Sequence, residues 1–219
     1  DARIRVLRYE GGFNFSAINN FGAAHAKGDY LLLLNNDTEM IHGDCLRQLL
    51  GPCQRPEVGI TGALLYYGDD TIQHAGVVLG FGGIAGHAFI GEKRGDNGYF
   101  SRIICRQDYS AVTAACLMVK TSVYREVGGM SEDLRVAFND IDFCMKVRKA
   151  GYLVVYNPGA ELYHFESKSR GLENTQEKIE RFNGEIAQFL ARWGEDIKAG
   201  DPYYNPNLSL DKADFSLRL

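Results

Sequence analysis

Cysteine, positive charge and long apolar runs are all in short supply in this chain, and each shortage excludes something. The five cysteines (45, 53, 105, 116 and 144) are odd in number, scattered, and never form a Cys-x-x-Cys pair. They supply neither a disulfide framework nor a zinc site, and read as reduced thiols in a reducing compartment. Basic residues do not outnumber acidic ones, and the formal net charge is -4. A nucleic-acid partner gripped through its phosphates is therefore not expected. No apolar stretch approaches the roughly 20 residues of a membrane-spanning helix. Internal repeats and low-complexity tracts are absent as well. What remains is a chain of 219 residues, 45% hydrophobic and 24% charged, which suits one domain with a sizeable core.

The most informative segment is 30–39, Tyr-Leu-Leu-Leu-Leu-Asn-Asn-Asp-Thr-Glu. An apolar run that stops at two amides and a carboxylate reads as a buried strand delivering Asp37 to its C-terminal end. Ligands of open α/β sheets bind outside the carboxyl ends of strands. A carboxylate there is a hard ligand for Mg²⁺ or Mn²⁺ that also holds phosphate oxygens. Ordinary turn chemistry is the competing reading of Asn-Asn-Asp.

Around this segment the pattern predicts a strand at 4–8, a helix at 15–27 stopped by Gly28, and then the strand 30–34. That is a βαβ unit with a parallel pair. A second helix is expected at 43–54, strands at 59–67, 111–119 and 152–156, and helices at 121–127, 139–150 and 172–193. The last has Ile179, Phe182, Ile186, Phe189, Leu190 and Trp193 on one face. Residues 68–98 are dense in glycine and carry His74 and His87, the profile of a functional or mobile segment. Residues 201–219 read as a surface tail.

Two further clusters carry chemistry. Asp140 and Asp142 open the helix at 139, where carboxylates also serve simply as capping charges. Two positions apart, they point to different sides of a helix, so only one easily faces a given site. Such a carboxylate is a candidate general base. In Tyr163-His164-Phe165-Glu166-Ser167-Lys168-Ser169-Arg170-Gly171, an imidazole precedes a cationic, hydroxyl-bearing loop of the kind that meets phosphates.

Three stretches in this order, 19–39, 128–152 and 161–171, resemble family-2 glycosyltransferases of the glycosyltransferase-A fold. The likeness runs from about residue 4 to about 195. It implies an α/β fold with a mixed, mostly parallel central sheet flanked by helices. It also implies a catalytic domain over 1–195 with its N-terminal strands missing, and a C-terminal tail over 196–219. Asp37 then matches the last Asp of the family's Asp-x-Asp metal motif, and Asn35 the first, normally Asp. His164 matches the position that completes metal coordination. Asp140 matches the catalytic base, with Asn139 where Glu is more usual. Thr113, Ala114 and Ala115 fall at the floor of the donor-sugar pocket, and Lys168, Ser169 and Arg170 in the loop over the diphosphate. Asp142, His74 and His87 are further candidates for binding substrate, and Tyr66, Tyr67, Tyr99 and Phe100 for stacking on sugar rings.

The implied reaction is inverting, metal-dependent transfer of a hexosyl-type sugar from a nucleoside-diphosphate sugar to a saccharide or lipid-linked saccharide acceptor. The implied setting is bacterial surface-polysaccharide synthesis, in the cytoplasm or peripherally at the inner face of the membrane. The chain opens on Asp1 and reads as a piece of a longer protein. A sheet without its first strands exposes an apolar edge, so a homodimer is expected to cover it. Asn at 35 and 139 leaves a non-catalytic binding module open. The Asp and His ligands also suit a metal-dependent sugar-phosphate hydrolase.

Overall fold

The apolar run before Asn35 is the strand β1 (Tyr30–Leu34), at one edge of the central sheet. The computed structural model describes residues 1, 3–165 and 175–218. Helix α1 (Phe15–His25) precedes β1, its first turn capped by the Asn14 side chain, which accepts from the Ala17 N–H. Then follow β2 (Thr38–Met40), α2 (Cys45–Cys53) and the fully buried β3 (Val58–Tyr66). Four short strands come next: β4 (Ile72–His74), β5 (Val77–Leu79), β6 (Ala85–His87) and β7 (Gln107–Asp108). Strand β8 (Cys116–Lys120) runs straight into α3 (Thr121–Glu126), and α4 (Asn139–Lys149), β9 (Leu153–His164) and α5 (Gln176–Ala199) complete the chain.

The sheet order is β1-β8-β3-β9-β2, with β4 attached to β3 and β7 to β9. The expected mixed α/β sheet with flanking helices is present, but its adjacent pairs are mostly antiparallel. Strands β1, β3 and β9 share one direction, yet β8 enters reversed between β1 and β3, so among the described residues only β3 and β9 are parallel neighbours. Residues 4–8 form no strand: Ile4 and Val6 are exposed, and the Arg5 side chain donates to the His25 carbonyl instead. Alternating apolar residues without a surface to bury against do not make a strand.

Two boundaries moved for physical reasons. Strand β9 was expected to stop at Tyr156, before Asn157-Pro158-Gly159. It continues because the register against β3 jumps from Ala63↔Asn157 to Leu64↔Glu161, and the Pro-Gly pair bulges out. The buried segment 111–115 is not strand. It crosses close over β3 at Gly62, where a Cβ would lie 2.5 Å from that of Val112. A side chain there would push the segment off the sheet.

The glycine-rich segment is ordered and built into the core by the C-terminal residues. Phe215 stacks on Phe89 with ring centroids 4.4 Å apart, and the Asp201 carboxylate accepts the Leu79 N–H at 2.8 Å. Tyr204, Leu208 and Phe215 belong to the main buried cluster.

Helix α5 also differs from its sequence pattern. Ile179, Phe182 and Leu190 are each more than a third exposed, while Glu185, Phe189 and Trp193 are buried. Glu185 faces inward because its carboxylate accepts the N–H groups of Val136 (2.9 Å) and Ala137 (3.0 Å), just before α4. Phe138 follows with a left-handed φ of 59°, an outlier for a bulky residue, so this turn needs such a clamp.

Glu185→Gln leaves one of those two N–H groups facing an amide NH₂. A buried unmet donor costs about 1–3 kcal/mol, so melting should drop by several degrees at this chain length. Thermal unfolding followed by circular dichroism measures it, and an unchanged midpoint would show the clamp to be unimportant.

Candidate functional site

The C-terminal ends of β1 and β9, the strands β4 and β6, the segment 113–115 and the start of α4 enclose a cleft of about 590 Å³. Its lining is of two kinds: polar residues, Asn35, Asp37, Gln73, His87, Asp140 and His164, and aromatic ones, Phe13, Phe15, Phe138 and Phe182.

Strand pairing brings Asp37 and His164 together. Thr38 of β2 lies opposite His164 of β9, so the turn before β2 brings Asp37 to the imidazole. Asp37 Oδ1 is 3.2 Å from His164 Nε2, and Asn35 Nδ2 is 3.1 Å from the same nitrogen. The turn is pinned by the Thr38 hydroxyl, which donates to the Asn35 carbonyl at 2.8 Å, and by the Phe165 N–H, which donates to the Asp37 carbonyl at 2.9 Å. The other ring nitrogen, Nδ1, lies 2.6 Å from Gln73 Oε1.

These residues fit a divalent cation. Asp37 Oδ1 is buried, and among the described residues no hydrogen-bond donor reaches it. A buried carboxylate oxygen left this way is costly unless a proton or a cation satisfies it. Among the described residues no cluster of three or more His, Cys, Asp or Glu converges. Asp37 and His164 would hold a cation from one side only, and oxygens of a bound ligand would fill the remaining positions, as is usual beside phosphates.

Asp140 sits in the first turn of α4. Its Oδ1 accepts the Ile141 N–H at 2.9 Å and its Oδ2 the Ala114 N–H at 3.2 Å. The Asn35 N–H donates to the Ala115 carbonyl at 3.0 Å, so the segment 113–115 ties the Asp37 turn to the Asp140 carboxylate. Thr113, Ala114 and Ala115 all line the cleft, as expected of a floor.

Three expectations need correction. Asp142 is wholly buried away from the cleft. It accepts from the Ser131 hydroxyl (2.6 Å) and the Trp193 indole (2.9 Å) and pairs with Arg192 (3.3 Å). Two positions after Asp140, it must lie on another side of the helix, and it packs α4 to α5. His74 lies behind the cleft wall: its Nε2 accepts the Thr113 N–H at 3.4 Å, and its ring meets that of His87 edge-on. The aromatic residues expected to stack, Tyr66, Tyr67, Tyr99 and Phe100, do not line the cleft, and the Arg94 guanidinium lies over the Tyr66 ring. Lys168, Ser169 and Arg170 lie outside the described residues.

The sequence reading missed Gln73 and the aromatic wall. Gln73 sits in a three-residue strand too short for any period to show. Phe13 precedes helix α1 and Phe15 opens it, where apolar residues pass as ordinary staples. Phe138 stacks on Phe182 at 5.7 Å only because the left-handed turn places it there.

Comparison with known proteins agrees with this fold. The family model described as glycosyl transferase family 2 matches residues 1–126. The chain is 51% identical over 218 residues to an uncharacterized protein of Sinorhizobium fredii, covering 99% of this chain and 24% of that protein. It is 36% identical over 219 residues to an O-antigen biosynthesis protein of Myxococcus xanthus, covering 100% of this chain and 17% of that one. It thus spans a quarter or less of the length of these relatives. Among solved structures it is similar to GalNAc-T7 with UDP, GalNAc and Mn²⁺, at a TM-score of 0.66 and 13% identity, covering 88% of this chain and 37% of that one. It is also similar to a mannosyltransferase of Pyrobaculum calidifontis with GDP-Man and Mn²⁺, at 0.54 and 14%, covering 86% and 45%. At these identities the likeness establishes the fold, glycosyltransferase-A.

His74 gives the site a pH signature. Complete burial, with smaller contributions from His87 and His164, holds its pKa well below the ordinary value of 6.5. The folded chain keeps His74 neutral while the unfolded chain protonates it below that value, so stability falls as pH drops from 6.5 and is unaffected above it. His74→Gln keeps an acceptor for Thr113 but cannot titrate. Urea unfolding between pH 6.5 and about 5 should show the parent losing up to about 1.4 kcal/mol per pH unit more than the variant. Parallel pH dependences would refute a neutral buried His74.

Proposed function

Because the chain belongs to glycosyl transferase family 2, we propose that the cleft moves a sugar from a nucleoside-diphosphate sugar to an acceptor hydroxyl, with inversion and with a divalent metal, Mn²⁺ or Mg²⁺. The observation that carries this reading is that one cleft holds both an Asp37–His164 pair 3.2 Å apart and a second carboxylate, Asp140, with an aromatic wall. Asp37 and His164 would hold the cation, which when bound supplies positive charge for the leaving diphosphate. His87 lines the same cleft and would be available to the bound substrate.

Asp140 takes the proton of the acceptor hydroxyl as its oxygen attacks the anomeric carbon and the bond to the diphosphate oxygen breaks. Its two backbone N–H contacts keep the carboxylate fixed for that transfer. Asp37 and Asp140 are the cleft-lining carboxylates among the described residues. With Asp37 engaged at the metal, a single displacement with inversion is the simplest course. The aromatic wall of Phe13, Phe15 and Phe182 suits the apolar face of an acceptor sugar.

The Myxococcus relative is named for O-antigen biosynthesis. In keeping with that name we propose an acceptor among saccharides or lipid-linked saccharides of bacterial surface polysaccharides, and a setting in the cytoplasm or peripherally at the inner face of the membrane. No helix among the described residues is long and apolar enough to cross a membrane. One observation favours a binding module instead: Asn35 stands beside His164 where a second acid is usual.

The experiment is a thermal-shift panel of nucleoside diphosphates and nucleotide sugars, with and without Mn²⁺, on this chain and on Asp37→Ala. A ligand at 100 times its Kd stabilises by about 2.7 kcal/mol, a shift of several degrees at this size. The shift should require Mn²⁺ and vanish in Asp37→Ala; a shift kept in that variant contradicts the assigned ligand. Asp140→Asn should keep the shift and lose about 10²–10⁴-fold in turnover. Binding without turnover in the parent chain would favour the module.

A further inference from the structure

Nothing in the residue pattern points to Gln73, yet its side chain lies 2.6 Å from the His164 ring. It is buried on β4, and its amide brackets His164 from two sides. Oε1 lies 2.6 Å from ring Nδ1, and Nε2 donates to the His164 carbonyl at 3.4 Å. The second contact fixes the first. With the NH₂ turned to a carbonyl, the amide oxygen must face the ring, and an oxygen can only accept. The ring proton therefore sits on Nδ1, and in the neutral imidazole the Nε2 lone pair faces Asn35 and Asp37. Gln73 is itself held in place, since its carbonyl lies 2.9 Å from His87 Nδ1.

The alternative tautomer shows what this arrangement prevents. With the proton on Nε2, His164 would donate to Asp37 Oδ1 across the present 3.2 Å, satisfying that buried oxygen from within the protein. The carboxylate and the imidazole would then be engaged with each other and lost to any ligand. The isolated Asp-His pair favours that closed state.

We propose that Gln73 is a positioning residue that keeps His164 in its Nδ1–H form, so that no proton bridges Nε2 and the Asp37 carboxylate and a divalent cation can take the place of that bridge. Its part in cation binding rests on the donor-site reading above; its effect on the tautomer does not. Metal-bound histidines characteristically donate their other N–H to an oxygen acceptor, and removing that acceptor costs about 10–100-fold in metal affinity.

The test uses the whole chain, ¹⁵N-labelled, free of metal and at a pH well above the ordinary imidazole value. Long-range ¹H–¹⁵N spectra report which ring nitrogen carries the proton, and His164→Asn identifies the signals. The parent chain should show His164 protonated on Nδ1. Gln73→Leu, similar in size but without an acceptor, should move the proton to Nε2; Gln73→Glu, which keeps an acceptor oxygen, should return it to Nδ1. Mn²⁺ titrations read by the electron paramagnetic resonance of the free ion should show about 10–100-fold weaker binding for Gln73→Leu than for the parent. Gln73→Glu should remain near the parent value. A parent His164 protonated on Nε2, or the same tautomer in all three chains, overturns the inference. If Gln73→Leu does not fold, the parent and Gln73→Glu spectra still decide it, because both must show Nδ1–H. A parent chain with the expected tautomer but no Mn²⁺ binding, alone or with nucleoside diphosphates, overturns the donor-site reading and leaves the tautomer assignment standing.

Discussion

His164 reaches Asp37 only because β9 runs for 12 residues while exchanging its partners midway. Along one side it pairs in parallel with β3 through both halves, and along the other β7 covers its first half and β2 its second. The join is the Pro158-Gly159 bulge, where Asn157 donates to the Gln48 carbonyl of α2 at 2.6 Å and takes over hydrogen bonds that the ladder gives up. The β2–β9 register then decides the chemistry. A slip of one residue would turn His164 to the other face of the sheet, and the Asp37 turn would face Tyr163 instead.

The second constraint is polar burial. Glu185 receives two backbone N–H groups of the turn before α4, and Asp142 ties the helix to α5 through Trp193 and Arg192. Both carboxylates are buried, so each persists only because it is satisfied. Together they set where α4 begins and how it is rotated, and thus where Asp140 points. The two acids of the Asn-Asp-Ile-Asp segment divide the labour: one faces the cleft, and the other fixes the helix that presents it. The C-terminal residues act likewise on the opposite wall. Phe215 and Asp201 anchor the glycine-rich segment that carries Gln73 and His87.

Much of this was legible in the sequence wherever one element carried the whole signal. The run Tyr30–Leu34 ending at Asn35 and the helix starting at Asn139 are as the pattern predicts, and Asp37, Asp140 and His164 line one cleft. Failure came where the outcome depended on partners distant in sequence. Residues 4–8 alternate like a strand but find nothing to pair with. The parallel pair expected of the βαβ pattern does not form, because its first strand is lacking and β1 pairs antiparallel with β8, a strand some 80 residues later. Glu185, beside the apolar face of its helix, is held inward by two backbone donors at Val136 and Ala137 that nothing in the helix's own pattern announces. Gln73, His74 and Asp142 were misplaced or missed for the same reason: a hydrogen-bond partner more than ten residues away decides their role, and periodicity carries no trace of it.

The amide at position 35 bears on how the proposed donor site would work. With Asn35 beside His164, the turn contributes one formal negative charge, from Asp37, rather than two. Two protein ligands and a single charge leave a hard cation with most of its preferred oxygen positions to be filled by water or by phosphate. Affinity of the free protein for the cation is then modest, and a diphosphate brings both the missing charge and the missing oxygens. By linkage, whatever factor the diphosphate adds to cation affinity, the cation returns to the diphosphate. Such a site is filled by donor and cation together, and a proton bridging Asp37 and His164 competes with both. The weaker the charge on the turn, the more the site depends on keeping that proton away, and Gln73 is the group placed to do so.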